Sequence, residues 1–266
     1  MIVAALGDSV TAGVGDSPGP QRGWAAHLAR ALDAREFRNL ARIGARTSDL
    51  INEQLHEACA LGPDLTTVLI GGNDVLRTGF DPAWIGRQLR EVCGSLPGIK
   101  VVVLLPNPQL VLTRPKVVSR ALGRRSAALN EAVERQLGGV RQTLLIDPSQ
   151  YAHMHARSAW HVDRMHPSAQ GHRLLAAHAV GRLEDLGLSQ VREIQTPTIY
   201  GSRLGDAWWC VSKGVPWFLK RSVDFLPELV SACWQEHHHA SGPSSLIGEL
   251  VGHPMGASGH GQSATR

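Results

Sequence analysis

The strongest constraint on this chain is an alternation: five strand-length apolar runs, each separated from the next by a longer segment with helical spacing. The runs are Ile2 to Leu6, Phe37 to Ala41, Leu65 to Ile70, Val101 to Leu105 and Thr143 to Ile146. Between them lie Trp24 to Leu32, Ser48 to Ala60, Pro82 to Leu96 and Pro115 to Leu137, and after the last comes Ser168 to Leu186. These segments repeat their apolar residues at helical intervals. Strands joined through helices run parallel, because a parallel pair needs a crossover connection, and the helices then cover both faces of the sheet. The prediction is an α/β fold, a three-layer α/β/α sandwich around a five-stranded parallel sheet of flavodoxin-like type. The unbroken apolar run Val101-Val102-Val103-Leu104-Leu105, bounded by Gly98 and Pro106, is what a strand covered on both faces requires. In open parallel sheets ligands bind beyond the carboxyl ends of the strands, so the residues just after each run are where chemistry is expected.

Charge and composition narrow the classes of partner. The chain of 266 residues has a formal charge of +4, but Lys and Arg are interspersed with acids, which argues against nucleic-acid binding. The densest basic group, Arg120 with Arg124 and Arg125, has helical spacing and reads as a solvated helix face. Cys59, Cys93, Cys210 and Cys233 form neither a CxxC pair nor a disulfide framework and are expected to be reduced thiols. The sequence opens on Ile2 to Leu6 without a basic, signal-like leader, and no stretch reaches the roughly 20 apolar residues of a membrane span. A cytoplasmic protein is expected.

Three polar motifs fall at strand ends. Gly7-Asp8-Ser9-Val10, followed by Thr11 and Gly13, puts Ser9 on a glycine-rich turn after the first run. Gly71-Gly72-Asn73-Asp74 follows the third and offers an amide N–H from Asn73 as an oxyanion donor. Asp163-Arg164-Met165-His166-Pro167 precedes the final helix and sets a carboxylate three residues ahead of an imidazole. Each motif alone has a plain structural reading: a turn serine, an Asn-Asp helix cap, a surface ion pair. Together they supply what a serine nucleophile needs, a base to take its proton and an acid to orient that base and stabilise the imidazolium. His153, His155 and His161 compete for the role of base, and position relative to the strands selects His166.

These blocks, in this order, resemble the SGNH hydrolase family, the GDSL esterases and lipases, over about the first 188 residues. The blocks are Gly-Asp-Ser-Val around Ser9, Gly44 after the second run, Gly-Gly-Asn-Asp around Asn73, and Asp163 with His166. The resemblance implies a catalytic triad of Ser9, Asp163 and His166. It also implies an oxyanion hole built from the backbone N–H groups of Ser9 and Gly44 and the side-chain amide of Asn73. It further implies hydrolysis of carboxylic esters of small acyl, lipid or acetylated substrates, without metal or organic cofactor. Two rival readings are a catalytically silent binding protein on the same fold and a metal-dependent hydrolase. The latter would use the four histidines from His153 to His166 with Asp8 and Asp74.

The expected domains are a catalytic domain over 1–188, a Trp-rich helical extension over 189–236 and a disordered tail over 237–266. The extension holds Trp208, Trp209, Trp217 and Trp234, and resembles a tail of actinobacterial members of that family. Between Gln190 and Glu236 five basic residues balance five acidic ones, so a lid over the site or packing on the core is favoured over interfacial membrane contact. The run His237-His238-His239 lies in a Gly- and Ser-rich tail without the spacing that fixes metal geometry. Specificity is expected from the loops Gly15 to Gly23, Thr78 to Pro82 and Asn107 to Lys116, with Leu110, Val111 and Leu112 as candidates for an acyl pocket.

Overall fold

Five parallel strands form one sheet in the computed structural model, which describes residues 1–19, 22–110, 116–194, 230–231 and 234. They are β1 (Ile2–Gly7), β2 (Glu36–Asn39), β3 (Leu65–Leu69), β4 (Ile99–Val103) and β5 (Thr143–Ile146), in the order β2-β1-β3-β4-β5. That is the flavodoxin-like order, whose topological switch point falls between β1 and β3. Side chains alternate across each strand. Val3 and Ala5 of β1 pack with α1 (Trp24–Ala31) and α6 (Ala169–Glu184) on one face. Ala4 and Leu6 pack with α3 (Leu55–Leu61), α4 (Pro82–Ser95) and α5 (Lys116–Leu137) on the other. The three layers follow from helices that bury a face against strands buried on both sides.

Two elements depart from the expected pattern. β4 begins at Ile99 and ends at Val103, so Leu104 and Leu105 run past the ladder. They stay apolar because both are buried beyond the sheet edge, Leu105 on the wall of a cavity. The helix expected over Ser48 to Ala60 is divided into α2 (Thr47–Asp49), a π-helical turn (Leu50–Gln54) and α3. π-bulges recur at functional sites. This one turns Gln54 inward, where its Oε1 accepts the backbone N–H of Gly7 at 2.8 Å and its Nε2 donates to the Gly7 carbonyl at 2.9 Å.

Arg125 corrects the expectation of a solvated basic face on α5. Arg120 and Arg124 are exposed, but Arg125 is only 8% exposed. Its Nη1 donates to the carbonyls of Val75, at 3.0 Å, and Arg77, at 2.7 Å, and its guanidinium lies 5.4 Å over the Phe80 ring. No helix among the described residues is long and apolar enough to cross a membrane. Cys59 and Cys93 are free thiols. Cys210, Cys233, residues 237–266, and the extension apart from residues 189–194, Val230, Ser231 and Trp234 lie outside the described residues.

Candidate active site

Ser9 stands on the turn after β1, and the turn is shaped by how closely β1 approaches β3. A Cβ on Gly7 would come within 2.2 Å of the Leu69 carbonyl oxygen, so only glycine fits there. Asp8 is buried directly behind Ser9, where its Oδ1 accepts the Val10 N–H at 3.0 Å. Burial pushes the Asp8 carboxyl up to about 6, against the opposing pull of the Val10 N–H and the nearby His166. The chain then returns across the site. Gly15 has a φ of 95° and lies so close to the Pro167 carbonyl that a Cβ would meet it at 2.1 Å.

His166 reaches Ser9 from the segment before α6. Two local devices fix it. Ser168 caps α6 by accepting the Gly171 N–H, and Asp163 closes a turn by accepting the N–H groups of Met165 and His166 on Oδ1, at 2.9 and 3.0 Å. That turn holds Arg164 in the left-handed region at φ 59°, an uncommon conformation for a residue with a Cβ. His166 Nδ1 lies 2.9 Å from Asp163 Oδ2 and its Nε2 lies 2.8 Å from Ser9 Oγ. With the ring proton on Nδ1 and donated to the carboxylate, Nε2 is left to accept from the serine hydroxyl. Burial would raise Asp163, but hydrogen bonds from His161 and His166 and the charge of His166 outweigh it and hold the carboxyl well below the usual range.

His161 is a second imidazole on the same carboxylate, its Nδ1 3.1 Å from Asp163 Oδ2. The sequence offers His161 only as a competing histidine, with no spacing signal for this placement. A third histidine, His172 of α6, is fully buried and secures the loop after Ser9. Its Nε2 donates to the Val14 carbonyl at 2.9 Å and its Nδ1 accepts the Trp24 N–H at 3.2 Å. Burial pushes it down to about 4, which keeps it neutral and fits one donor and one acceptor nitrogen.

Asn73 follows β3, and its Nδ2 donates to the Ala45 carbonyl at 2.9 Å, leaving its second amide hydrogen uncommitted to that bond. Gly44 has a φ of 85° in the adjoining turn. The neighbouring Asp74 is buried and accepts the Thr47 N–H, so it ties the two turns together, and burial raises it despite that bond. Ser9, Asn73 and His166 share the wall of one cavity of about 160 Å³, whereas Gly44 and Asp163 do not line it. Leu110, expected near an acyl pocket, is 42% exposed and does not line it either, while Val111 and Leu112 lie outside the described residues.

The other histidines of the segment do not join a metal-binding cluster. His155 Nε2 donates to the Ser149 carbonyl at 2.7 Å. Among the described residues no group of three or more His, Cys, Asp or Glu side chains is placed to hold a metal ion.

Fold and side-chain cluster together define a class: a flavodoxin-like α/β protein with a Ser-His-Asp chain of contacts at the carboxyl edge of its sheet. The protein belongs to the GDSL-like lipase/acylhydrolase family, whose model matches residues 5–174. Solved structures share the fold at low identity. The lipase Lip_vut3 from a goat rumen metagenome is 19% identical, with 72% of this chain and 100% of that chain aligned and a TM-score of 0.54. The acetylxylan esterase Axe2 from Geobacillus stearothermophilus, solved as a catalytic mutant, is 19% identical over 71% of this chain and 96% of that one, with a TM-score of 0.55. The α/β hydrolase LAE5 from the Lake Arreo metagenome is 19% identical over 69% and 95%, with a TM-score of 0.53. A comparison with curated proteins finds no match. Membership places the chain among ester-hydrolysing enzymes.

Proposed function

We propose that this protein hydrolyses carboxylic esters through an acyl-enzyme on Ser9. His166 Nε2 takes the Ser9 proton as Oγ attacks the ester carbonyl, and Asp163 stabilises the imidazolium that results. The tetrahedral oxyanion is received by the backbone N–H groups of Ser9 and Gly44 and by the Asn73 amide, donors in place before charge develops. His166 then gives its proton to the departing alcohol. Water, activated by the same imidazole, cleaves the acyl-enzyme and returns Ser9 to its starting state. His161 shares the carboxylate with His166 and acts on Asp163, not on substrate. The catalytic unit spans 1–188, with 189–236 as an extension to it, and the protein works in the cytoplasm on small acyl esters without a cofactor.

The observation that carries this reading is the continuous contact from Ser9 Oγ through His166 to Asp163, at 2.8 and 2.9 Å, beside a cavity able to receive substrate. The test is covalent labelling by a fluorophosphonate, with the modified peptide identified by mass spectrometry. Labelling of Ser9 in wild type, abolished in Ser9→Ala together with turnover of p-nitrophenyl esters, is the expected result. Absence of both labelling and turnover in wild type would make the chain a silent binding protein. Ester turnover that survives Ser9→Ala but is lost to a chelator would place the chemistry on a metal.

A further inference from the structure

Asp163 serves two imidazoles, and a short closed loop sets both against it. Trp160 and Pro167 form an antiparallel bridge, and inside it the His161 N–H donates to the His166 carbonyl at 2.9 Å, so the two histidines stand opposite each other across the neck of the loop. The His161 carbonyl accepts the Arg164 N–H at 3.0 Å, which turns the chain back and brings Asp163 to both rings. Each carboxylate oxygen then faces two donors. Oδ1 accepts the backbone N–H groups of Met165 and His166, and Oδ2 faces Nδ1 of His166 at 2.9 Å and Nδ1 of His161 at 3.1 Å. The His161 contact is the more bent of the two, and its nitrogen is shut off from solvent. The loop after Ser9 backs this arrangement, since a Cβ on Gly15 would come within 3.3 Å of the His161 Cβ.

Resting on the reaction proposed above, we infer that His161 is a positioning residue for the triad acid: it shares Asp163 Oδ2 with His166, holds that oxygen in place, and so extends the reaction to more acidic pH. A carboxylate oxygen that faces two imidazole donors gives each of them less than it would give one. Protonated His166 therefore gains less from Asp163, while the neutral ring, which is the base, loses little. A proton that settles on His161 acts in the same direction, because its charge offsets Asp163 and repels a second proton on His166. Either charge state of His161 thus opposes protonation of the base in the free enzyme. A hydrogen bond to a charged group is worth on the order of tenfold or more in an equilibrium. A bent contact acting through a shared oxygen transmits part of that, about threefold to tenfold, or roughly 0.5–1 pH unit. The ionisable groups around the pair are Asp163 and Arg164 from the same loop, Asp8 from the turn after β1 and His172 from α6, and a change at His161 leaves all four in place.

The test is the pH profile of kcat/KM on p-nitrophenyl acetate, from pH 5 to 9, for the full-length protein and two variants. His161→Phe fills the space without a donor, and His161→Asn sets an amide nitrogen near the place of Nδ1. His161→Phe should move the acid limb up by roughly 0.5–1 pH unit, with kcat and KM on the alkaline plateau each changed by less than about threefold. His161→Asn should return at least half of that displacement, a rescue that packing alone does not produce. The same displacement should appear in the 15N resonances of His166, which titrate whether or not an ester turns over. A limb that stays within about 0.2 unit of wild type, that moves down, or that moves equally in both variants overturns the inference. Turnover that survives His166→Ala and is lost in His161→Phe also overturns it, because His161 would then be the base. Should His161→Phe not fold, His161→Leu takes its place. A wild type without ester turnover refutes the reaction proposed above and leaves the His166 resonances to decide the sharing of Asp163.

Discussion

Asp8 offers a quantitative check on the electrostatics of the site. Its carboxyl is raised by burial from an ordinary 3.8 to about 6, so the folded chain binds this proton more tightly than the unfolded chain does. At about 1.4 kcal/mol per tenfold change in proton affinity, the gap corresponds to about 3 kcal/mol. The sign follows from which state holds the proton. The contribution is fully present below pH 3.8, declines as pH rises through about 6, and is gone above it, where a bare carboxylate sits buried behind Ser9. Asp8→Asn keeps the Oδ1 acceptor for the Val10 N–H and removes the ionisation. Urea unfolding of wild type and variant, each at pH 4, 5, 6 and 7.5, isolates the group, because titrations not coupled to Asp8 cancel in the difference. The variant should match wild type at pH 4 and exceed it by on the order of 2–3 kcal/mol at pH 7.5. The attraction between Asp8 and His166 works against the gain and sets its lower end. A difference that stays constant with pH, or a variant less stable than wild type at pH 7.5, would refute the argument.

Two further substitutions separate chemistry from stability. Asn73→Ala removes the proposed side-chain oxyanion donor together with one hydrogen bond to the Ala45 carbonyl, so kcat on p-nitrophenyl esters should fall by roughly 100-fold or more. Its urea midpoint should move little, and activity within threefold of wild type would remove Asn73 from the oxyanion hole. Arg125→Met strips the Val75 and Arg77 carbonyls of a buried donor and should cost on the order of 2–3 kcal/mol in urea unfolding. Arg125→Lys should recover only part of that, since an ammonium lacks the planar fork that serves two carbonyls over a ring. A loss below about 0.5 kcal/mol, within the scatter of surface changes, would mean that Arg125 does not brace the turn after β3.

What could be read in the sequence and what could not divides along physical lines. The five strands were legible because apolar runs covered on both faces leave a signal that does not depend on their partners. Parallel pairing and the flavodoxin-like type were legible as well, but the ends of β4 were misplaced because Leu104 and Leu105 stay buried beyond the ladder. Ser9, Asn73 and the Asp163–His166 pair stood out because the fold forces chemistry to strand ends, a rule that needs no distances. Arg125 was readable in principle and was missed. It lies four residues before buried Leu129 and four after buried Ala121, on the inward stripe of α5, while Arg124 is turned away by one residue. Gln54 was not readable, because a π-turn inserts a residue into the helical register and rotates every later side chain away from the position that regular spacing assigns. His161 was visible only as a histidine; its sharing of Asp163 depends on the turn closed by Arg164 at positive φ, which no spacing rule anticipates. The cavity beside Ser9 is the extreme case, since its wall gathers side chains from β3, the segments after β3 and β4, α5 and the approach to α6 that are adjacent only once the sheet has formed. The proposed reaction is thus written in local motifs, while the cavity beside Ser9 arises from packing between distant segments.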